Sequence, residues 1–236
     1  MKNILIGCPV RNREWILPEY LKALENLDYP KEYLAFHFIL NDSTDKSKEI
    51  LLNWKYETMK DGYRYVRITE LNFDYPPDWG ETRITTNGSS ITRFNKGYKA
   101  LTVLRNLLLD LAWLDIKTDY LFSIDSDIII KPDILSNLLL TEKHIIAGLI
   151  KNDKINHNFI DSSGRRGDIL PASKVFEVKI TGAIILISRK VIDNKEIRYS
   201  PSKIGEDEGF CLSAIAQGIK PYVLSDLQKH ITRRSE

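Results

Sequence analysis

The chain has 236 residues, 43% of them hydrophobic and 28% charged, the composition of an ordinary soluble enzyme with one sizeable core. Its 34 basic and 32 acidic side chains leave a formal charge of +2, which gives no reason to expect a nucleic-acid partner. No apolar run approaches bilayer-spanning length, and Met1-Lys2-Asn3 leads straight into a strand-like Ile4-Leu5-Ile6. Neither a transmembrane segment nor a signal peptide is therefore expected, although peripheral association with a membrane stays open. Cys8 and Cys211 lie in apolar surroundings, so two buried free thiols and a cytoplasmic location are expected rather than a disulfide framework.

In chain order, 3–8 reads as a buried strand, and Ile16, Leu17, Tyr20, Leu21, Leu24 and Leu27 then recur at helical spacing. Residues 34–40 form a second strand, 46–56 a helix with Ile50, Leu51 and Trp54 inward, and 63–68 a third strand. From Glu70 to Lys99 the pattern breaks into a long polar, Gly- and Pro-containing loop, and 79–99 is expected to act as a mobile flap. Leu101, Leu104, Leu108 and Leu111 restore helical spacing, and 120–124 is the strand that follows. The second half holds a helix after Pro132, strands at 145–150 and 182–188, a helix at 206–217 and a last short strand at 222–224. Strands alternating with helices predict an α/β fold, a mixed, mainly parallel sheet flanked by helices. One domain is expected over 1–236, in two halves, 1–127 and 128–236.

The sharpest chemical signal is Asp125-Ser126-Asp127, two carboxylates separated by one small residue at the end of an apolar strand. Ligands of open α/β sheets gather at the carboxyl ends of strands, and two acids there can share one hard divalent cation, manganese or magnesium. Pro9, Val10, Arg11 and Asn12 end the first strand at the same sheet edge, with no G-x-G-x-x-G to suggest a dinucleotide. Asn41-Asp42-Ser43-Thr44-Asp45 ends the second strand; helix capping accounts for the last three but not for Asp42. Glu206, Asp207 and Glu208 crowd a helix start, where the macrodipole favours anions.

Taken together these elements resemble the GT-A glycosyltransferases, Rossmann-like nucleotide-sugar enzymes, and in particular their large inverting family 2. Asn41 to Asp45 is similar to that family's acidic element, Arg105-Asn106 to its Arg-Asn, and Asp125-Ser126-Asp127 to its Asp-x-Asp. Thr181-Gly182-Ala183 and Gly205-Glu206-Asp207 resemble its acceptor-side glycine segment and its catalytic Glu-Asp element. Leu24 to Pro30, and Trp79 with Arg83, also look like the collagen galactosyltransferase branch.

The resemblance implies that Asp42 meets the nucleobase, with Pro9, Val10, Arg11 and Asn12 around it, and that Arg105 faces the nucleotide. It implies Asp125 and Ser126 near the ribose, and Asp125, Asp127 and His230 around the metal. It also implies Gly182, Ala183 and Trp79 on the acceptor side, and Asp207, assisted by Glu206, as the base, with 1–127 as the nucleotide-binding half and 128–236 as the acceptor-binding half. A nucleotide-sugar donor, most simply a UDP-sugar, and a glycan, lipid-linked or protein acceptor would be the partners. Arg165, Arg166, Arg233 and Arg234 are further candidates for diphosphate or acceptor contacts. A haloacid-dehalogenase-like phosphohydrolase also ends a strand in Asp-x-Asp, but has Thr or Val where Ile129 stands here. A non-catalytic sugar-nucleotide-binding protein is the other alternative.

Overall fold

Parallel strands covered by helices on both faces must be apolar throughout, because neither face meets water. The strands β1 (Ile4–Val10) and β2 (Leu34–Leu40) are buried at every position. Helix α1 (Leu17–Glu25) follows the first, while α2 (Ser47–Glu57) and β3 (Tyr65–Glu70) follow the second. A hairpin of β4 (Glu81–Thr86) and β5 (Ser89–Phe94) leads into α3 (Asn95–Leu114), then β6 (Tyr120–Ile124) and β7 (Ile128–Ile129). After α4 (Ile134–Leu139) come β8 (Ile145–Ile150), β9 (Phe159–Ile160), β10 (Val175–Glu177), β11 (Ile180–Thr181) and β12 (Ile184–Ser188). The chain ends through α5 (Arg189–Ile192), α6 (Glu206–Ala216) and β13 (Pro221–His230). This computed structural model describes residues 1–73, 81–86, 89–151, 157–167, 170–202 and 204–231, with the backbone alone at 81–86 and 89–98.

One mixed sheet of nine strands has the order β10-β13-β8-β12-β6-β1-β2-β3, with β7 paired to the far end of β13. β1, β2, β3 and β6 are mutually parallel, β12 runs antiparallel to β6 and β8, and β13 is parallel to β8. Alternate residues of each strand feed opposite faces. Ile4, Ile6, Cys8 and Val10 pack with Leu17 and Tyr20 of α1, Trp54 of α2 and Leu135 of α4. Leu5 faces the other way, into Leu104 and Leu108 of α3, Ile192 of α5 and Phe210 of α6. The result is three layers, with α1, α2 and α4 on one face and α3, α5 and α6 on the other. Cys8 and Cys211 are both buried free thiols. Among the described residues no helix is long and apolar enough to cross a membrane.

Two expectations need correction. The stretch from Glu70 to Lys99 is not one loop: β4 and β5 pair as an antiparallel hairpin from Glu81–Phe94 to Thr86–Ser89, and α3 starts at Asn95. The last strand is ten residues long rather than three, because an irregularity between Leu224 and Leu227 lets pairing with β8 resume beyond its polar middle. His230 therefore lies on that strand, opposite Ile128, instead of after it.

Asn158 ties the second half together. Its Nδ2 donates to the carbonyls of Gly148 and Gly182 at 3.0 and 2.9 Å, and its Oδ1 accepts from Ile150 N at 2.8 Å. Asn158→Ala strands three buried backbone groups, so urea denaturation should show a loss of about 2–4 kcal/mol.

Candidate active site

From β1 the chain proceeds outward to β2 and β3, then returns to place β6 on the opposite side of β1. The loops leaving the carboxyl ends of β1 and β6 consequently part, and a crevice opens between them. A cleft of about 250 Å³ occupies that place, lined by Pro9 at the end of β1, Arg11 and Arg13 after it, Asn41 after β2, and Asp125, Ser126 and Asp127 after β6. The acidic turn is closed by a bond from Ile128 N to Asp125 O at 3.1 Å. It is pinned to the neighbouring strand by Asp125 N donating to Ala183 O at 2.8 Å.

The loops after β1 and β2 are stitched to each other. Asn12 N donates to Ser43 Oγ at 3.1 Å, Thr44 N to Asn12 Oδ1 at 2.8 Å, and Arg13 N to Ser47 Oγ at 2.8 Å. Ser43 and Thr44 thus bind the neighbouring loop rather than cap α2, while Asp45 accepts from Ser47 N at 3.0 Å and Glu14 N at 2.9 Å. Asn12 and Asp42 both take a positive φ, 50° and 45°, a conformation Asn and Asp tolerate better than most residues.

At the centre lies Arg105, from the middle of α3, 2% exposed. Its Nε donates to Glu206 Oε1 at 2.9 Å, its Nη1 to Ser123 Oγ at 3.2 Å and its Nη2 to Asp125 Oδ1 at 2.6 Å. Asp207 Oδ1 is 3.9 Å from the same Nε. Burial, with Glu206 and Asp125 as like charges, outweighs the attraction of Arg105 and pushes the Asp207 carboxyl up to about 7. Burial beside Asp125 likewise raises Asp127, against the opposing pull of Arg13 and His230.

Gly182 explains where Asp207 points: a Cβ there would fall on the Asp207 carboxylate, so only glycine lets the acid lie against this backbone. Asp207 looks into a second cleft of about 260 Å³, lined also by Phe159, Arg166, Gly182, Ala183 and Glu208.

The structure gathers Pro9, Arg11, Asp125, Ser126 and Asp127 on the first cleft, and Gly182, Ala183 and Asp207 on the second. Four residues expected at the nucleotide are engaged within the protein. Val10 is fully buried in the core, and Asn12 spends its amide oxygen on the loop after β2. The Asp42 carboxylate accepts from Phe73 N at 3.1 Å, and its neighbour Asn41 lines the cleft instead. Arg105 is enclosed by protein carboxylates, and Glu206, 4% exposed, is its buried partner.

His230 Nε2 stands 3.9 Å from Asp127 Oδ1, and its Nδ1 is buried without a hydrogen-bond partner among the described residues. Among those residues no three His, Cys, Asp or Glu side chains are grouped closely enough to hold a metal ion. Arg165 is exposed beside Asp161 and Ser163. Trp79, Arg233, Arg234 and the Arg83 side chain lie outside the described residues. Sequence reasoning missed Arg13, whose Nη2 reaches Asp127 Oδ2 at 3.2 Å. Its signal was the second arginine of Arg11-Asn12-Arg13, at a strand end facing an acidic turn.

Residues 1–165 match the N-terminal domain of glycosyltransferase family 25. A glycosyltransferase 25 family member of Drosophila melanogaster is 30% identical over 159 residues, which are 66% of this chain and 24% of that protein. One of Anopheles gambiae is 24% identical over 254 residues, 96% of this chain and 40% of the relative. Procollagen galactosyltransferase 1-A of Xenopus laevis is 29% identical over 158 residues, 66% and 24% of the two chains. This chain thus spans between a quarter and two fifths of the length of these relatives.

Among solved structures, Staphylococcus aureus TarS 1–349 in complex with UDP-GlcNAc superposes with a TM-score of 0.65 at 16% identity, over 100% of this chain and 60% of that one. The mannosyltransferase PcManGT of Pyrobaculum calidifontis, in complex with GDP-Man and Mn2+, gives 0.60 at 13% identity, over 99% and 58%. At such identities the likeness is one of fold. Of the two resemblances read from the sequence, the family match falls on the collagen galactosyltransferase branch, and it sets aside the phosphohydrolase reading. The chain has the GT-A fold and belongs to glycosyltransferase family 25.

Proposed function

We propose that this domain transfers a sugar from a nucleotide-sugar donor to an acceptor hydroxyl or amine by a single, inverting displacement. The observation that carries it is the position of Asp207: it faces the second cleft, while the arginine it approaches also holds Asp125 on the rim of the first. A base must reach the acceptor while the donor lies within one bond length's travel, and two clefts meeting at one charge cluster provide for both. The donor's nucleoside diphosphate would occupy the first cleft, where Arg11 and Arg13 offer cationic donors and Asn41 replaces Asp42 as the candidate for a nucleobase contact. The complexes of TarS with UDP-GlcNAc and PcManGT with GDP-Man support a nucleoside diphosphate there. The name of the Xenopus relative supports a galactosyl donor and a protein acceptor as the first to assay.

The residues are of the kind a divalent cation takes, and it would have to draw them together, since among the described residues no three of them stand grouped as a ready site. Four carboxylates, Asp125, Asp127, Glu206 and Asp207, meet two guanidinium groups, Arg13 and Arg105, and His230 Nε2 stands 3.9 Å from Asp127 Oδ1. Asp127 and His230, with Asp125, would hold manganese or magnesium, which when bound supplies positive charge against the leaving diphosphate. Asp207 then takes the acceptor proton as the new bond forms, and Glu206 keeps Arg105 in place.

Thermal shift with UDP, GDP and dTDP, with and without manganese, should give one preferred nucleotide whose stabilisation needs the metal. In calorimetry Asp127→Asn should lose most of that affinity with the fold intact; unchanged affinity would falsify the metal assignment.

Asp207 works as the carboxylate, so kcat/KM should climb with pH and level off above about 7. The sign for stability is opposite: the raised pKa means that the folded state binds the proton more tightly, so this group's contribution fades as pH rises towards about 7. Asp207→Asn should keep nucleotide affinity and lose turnover by about a hundred- to ten-thousand-fold, with Glu208→Gln far milder. Product of retained anomeric configuration, read by NMR, would exclude the single displacement.

A further inference from the structure

Each carboxylate of the Asp125-Ser126-Asp127 turn is already matched by an arginine, and the two arginines are held in opposite ways. Arg105, 2% exposed, spends Nε, Nη1 and Nη2 on Glu206, Ser123 and Asp125. Nothing can take Asp125 from it without breaking a buried network. Arg13 is 32% exposed in its side chain and reaches Asp127 Oδ2 through Nη2 alone, at 3.2 Å. Its Nη1 donates to the carbonyls of Arg11 and Asn12 at 3.0 and 3.5 Å, and its Nε is buried with no partner among the described residues. The backbone beneath is fixed, because Arg13 N donates to Ser47 Oγ at 2.8 Å. A rooted residue therefore carries a side chain with one ion pair, one unspent donor and a wall of the donor cleft beside it.

We infer that Arg13 is a displaceable counter-ion: it neutralises Asp127 while the donor cleft is empty, cedes that carboxylate to the divalent cation, and turns its guanidinium onto the leaving diphosphate. This rests on the metal-assisted transfer proposed above. A guanidinium and a divalent cation on one carboxylate repel each other, so the more exposed and less tethered partner yields. The diphosphate entering with the cation carries more negative charge than Asp127 gives up, and its oxygens suit the planar donor fork of arginine. The orphaned Nε becomes a second donor in that fork. Asp127 is spared from standing as an unpaired, partly buried carboxylate before the ligand arrives, because Arg13 Nη2 lies 3.2 Å from it.

The test is calorimetric titration of the full chain with manganese alone, and then with the manganese–pyrophosphate complex, which probes the diphosphate site without committing to a base. Arg13→Gln removes the competitor, so manganese alone should bind about tenfold tighter, while manganese–pyrophosphate should bind about tenfold weaker. Arg13→Lys keeps the charge but not the fork; it should leave manganese near the wild-type affinity and weaken pyrophosphate about threefold or more. It also serves if the Gln variant fails to fold, which thermal melting reports. Manganese affinity unchanged or weakened in Arg13→Gln, but abolished in Asp127→Asn, overturns the displacement and leaves the metal reading standing. Tightening of both ligands in Arg13→Gln overturns the diphosphate clamp. If neither wild type nor Arg13→Gln binds manganese, the metal reading falls and takes this inference with it.

Discussion

A guanidinium buried at 2% exposure among three carboxylates is the contact on which the rest of the site depends. Arg105 comes from α3, Asp125 from the turn after β6, and Glu206 and Asp207 from the first turn of α6, so one side chain joins three elements distant in sequence. Lysine could not replace it: a point charge lacks the fork that meets Glu206, Ser123 and Asp125 at once. An aromatic floor supports the planar group, with Arg105 Cζ 5.7 Å from the Tyr199 ring centroid and Tyr199 stacked on Phe210 at 4.4 Å. A buried ion cluster is a poor source of stability compared with apolar packing, whereas loss of one member strands the others. Its persistence here is better explained by what it positions.

The backbone around that cluster is bent to suit it. Ala183 takes φ 68°, in the left-handed region that costs a residue with Cβ about 1 kcal/mol, and its carbonyl accepts from Asp125 N. Asn12 and Asp42, also at positive φ, end the two strands whose loops wall the first cleft. Backbone strain of this kind collects where ligand contacts are placed, and three of the four non-glycine positive-φ residues described lie at strand ends beside a cleft. The β3-β2-β1-β6 topology opens the crevice, and these bends decide which side chains look into it.

Strands 34–40, 120–124 and 145–150 were legible because parallel strands covered on both faces are short apolar runs bounded by polar turns. The β4–β5 hairpin was not, since Glu81-Thr82-Arg83 and Ser89-Ser90 carry no apolar alternation that would reveal a strand period. The second half of β13 was hidden likewise by Ser225-Asp226 and a register irregularity. In the site, the acids could be found from sequence because they end apolar strands or start a helix. What they touch could not: Asn41 lines the first cleft while the Asp42 carboxylate, at a positive φ, accepts from Phe73 N, a local arrangement that composition does not record. Arg105 did leave a trace. It sits among Leu101, Leu104, Leu108 and Ala112, on the apolar stripe of α3, where a charge is expected only if partners enclose it.

Glu206, Asp207 and Glu208 show why a run of like residues need not be a run of like functions. Successive helical residues point about 100° apart, so three neighbours face three environments. Glu206 turns inward and is consumed by Arg105. Asp207 passes over the notch left by Gly182 and emerges on the second cleft, still within 3.9 Å of Arg105. Glu208 lines that cleft as well, but the ion pairs of Arg105 go to its two predecessors. The macrodipole at the start of α6 favours an anion at any of the three positions and so cannot choose among them. A base must meet the acceptor, stand near the donor side and bind its proton tightly enough to take it. Glu206 fails the first condition by burial. Asp207 is the one of the three that both lines the second cleft and lies 3.9 Å from Arg105, with its carboxyl pushed up by burial, and this is what supports the role proposed for it above.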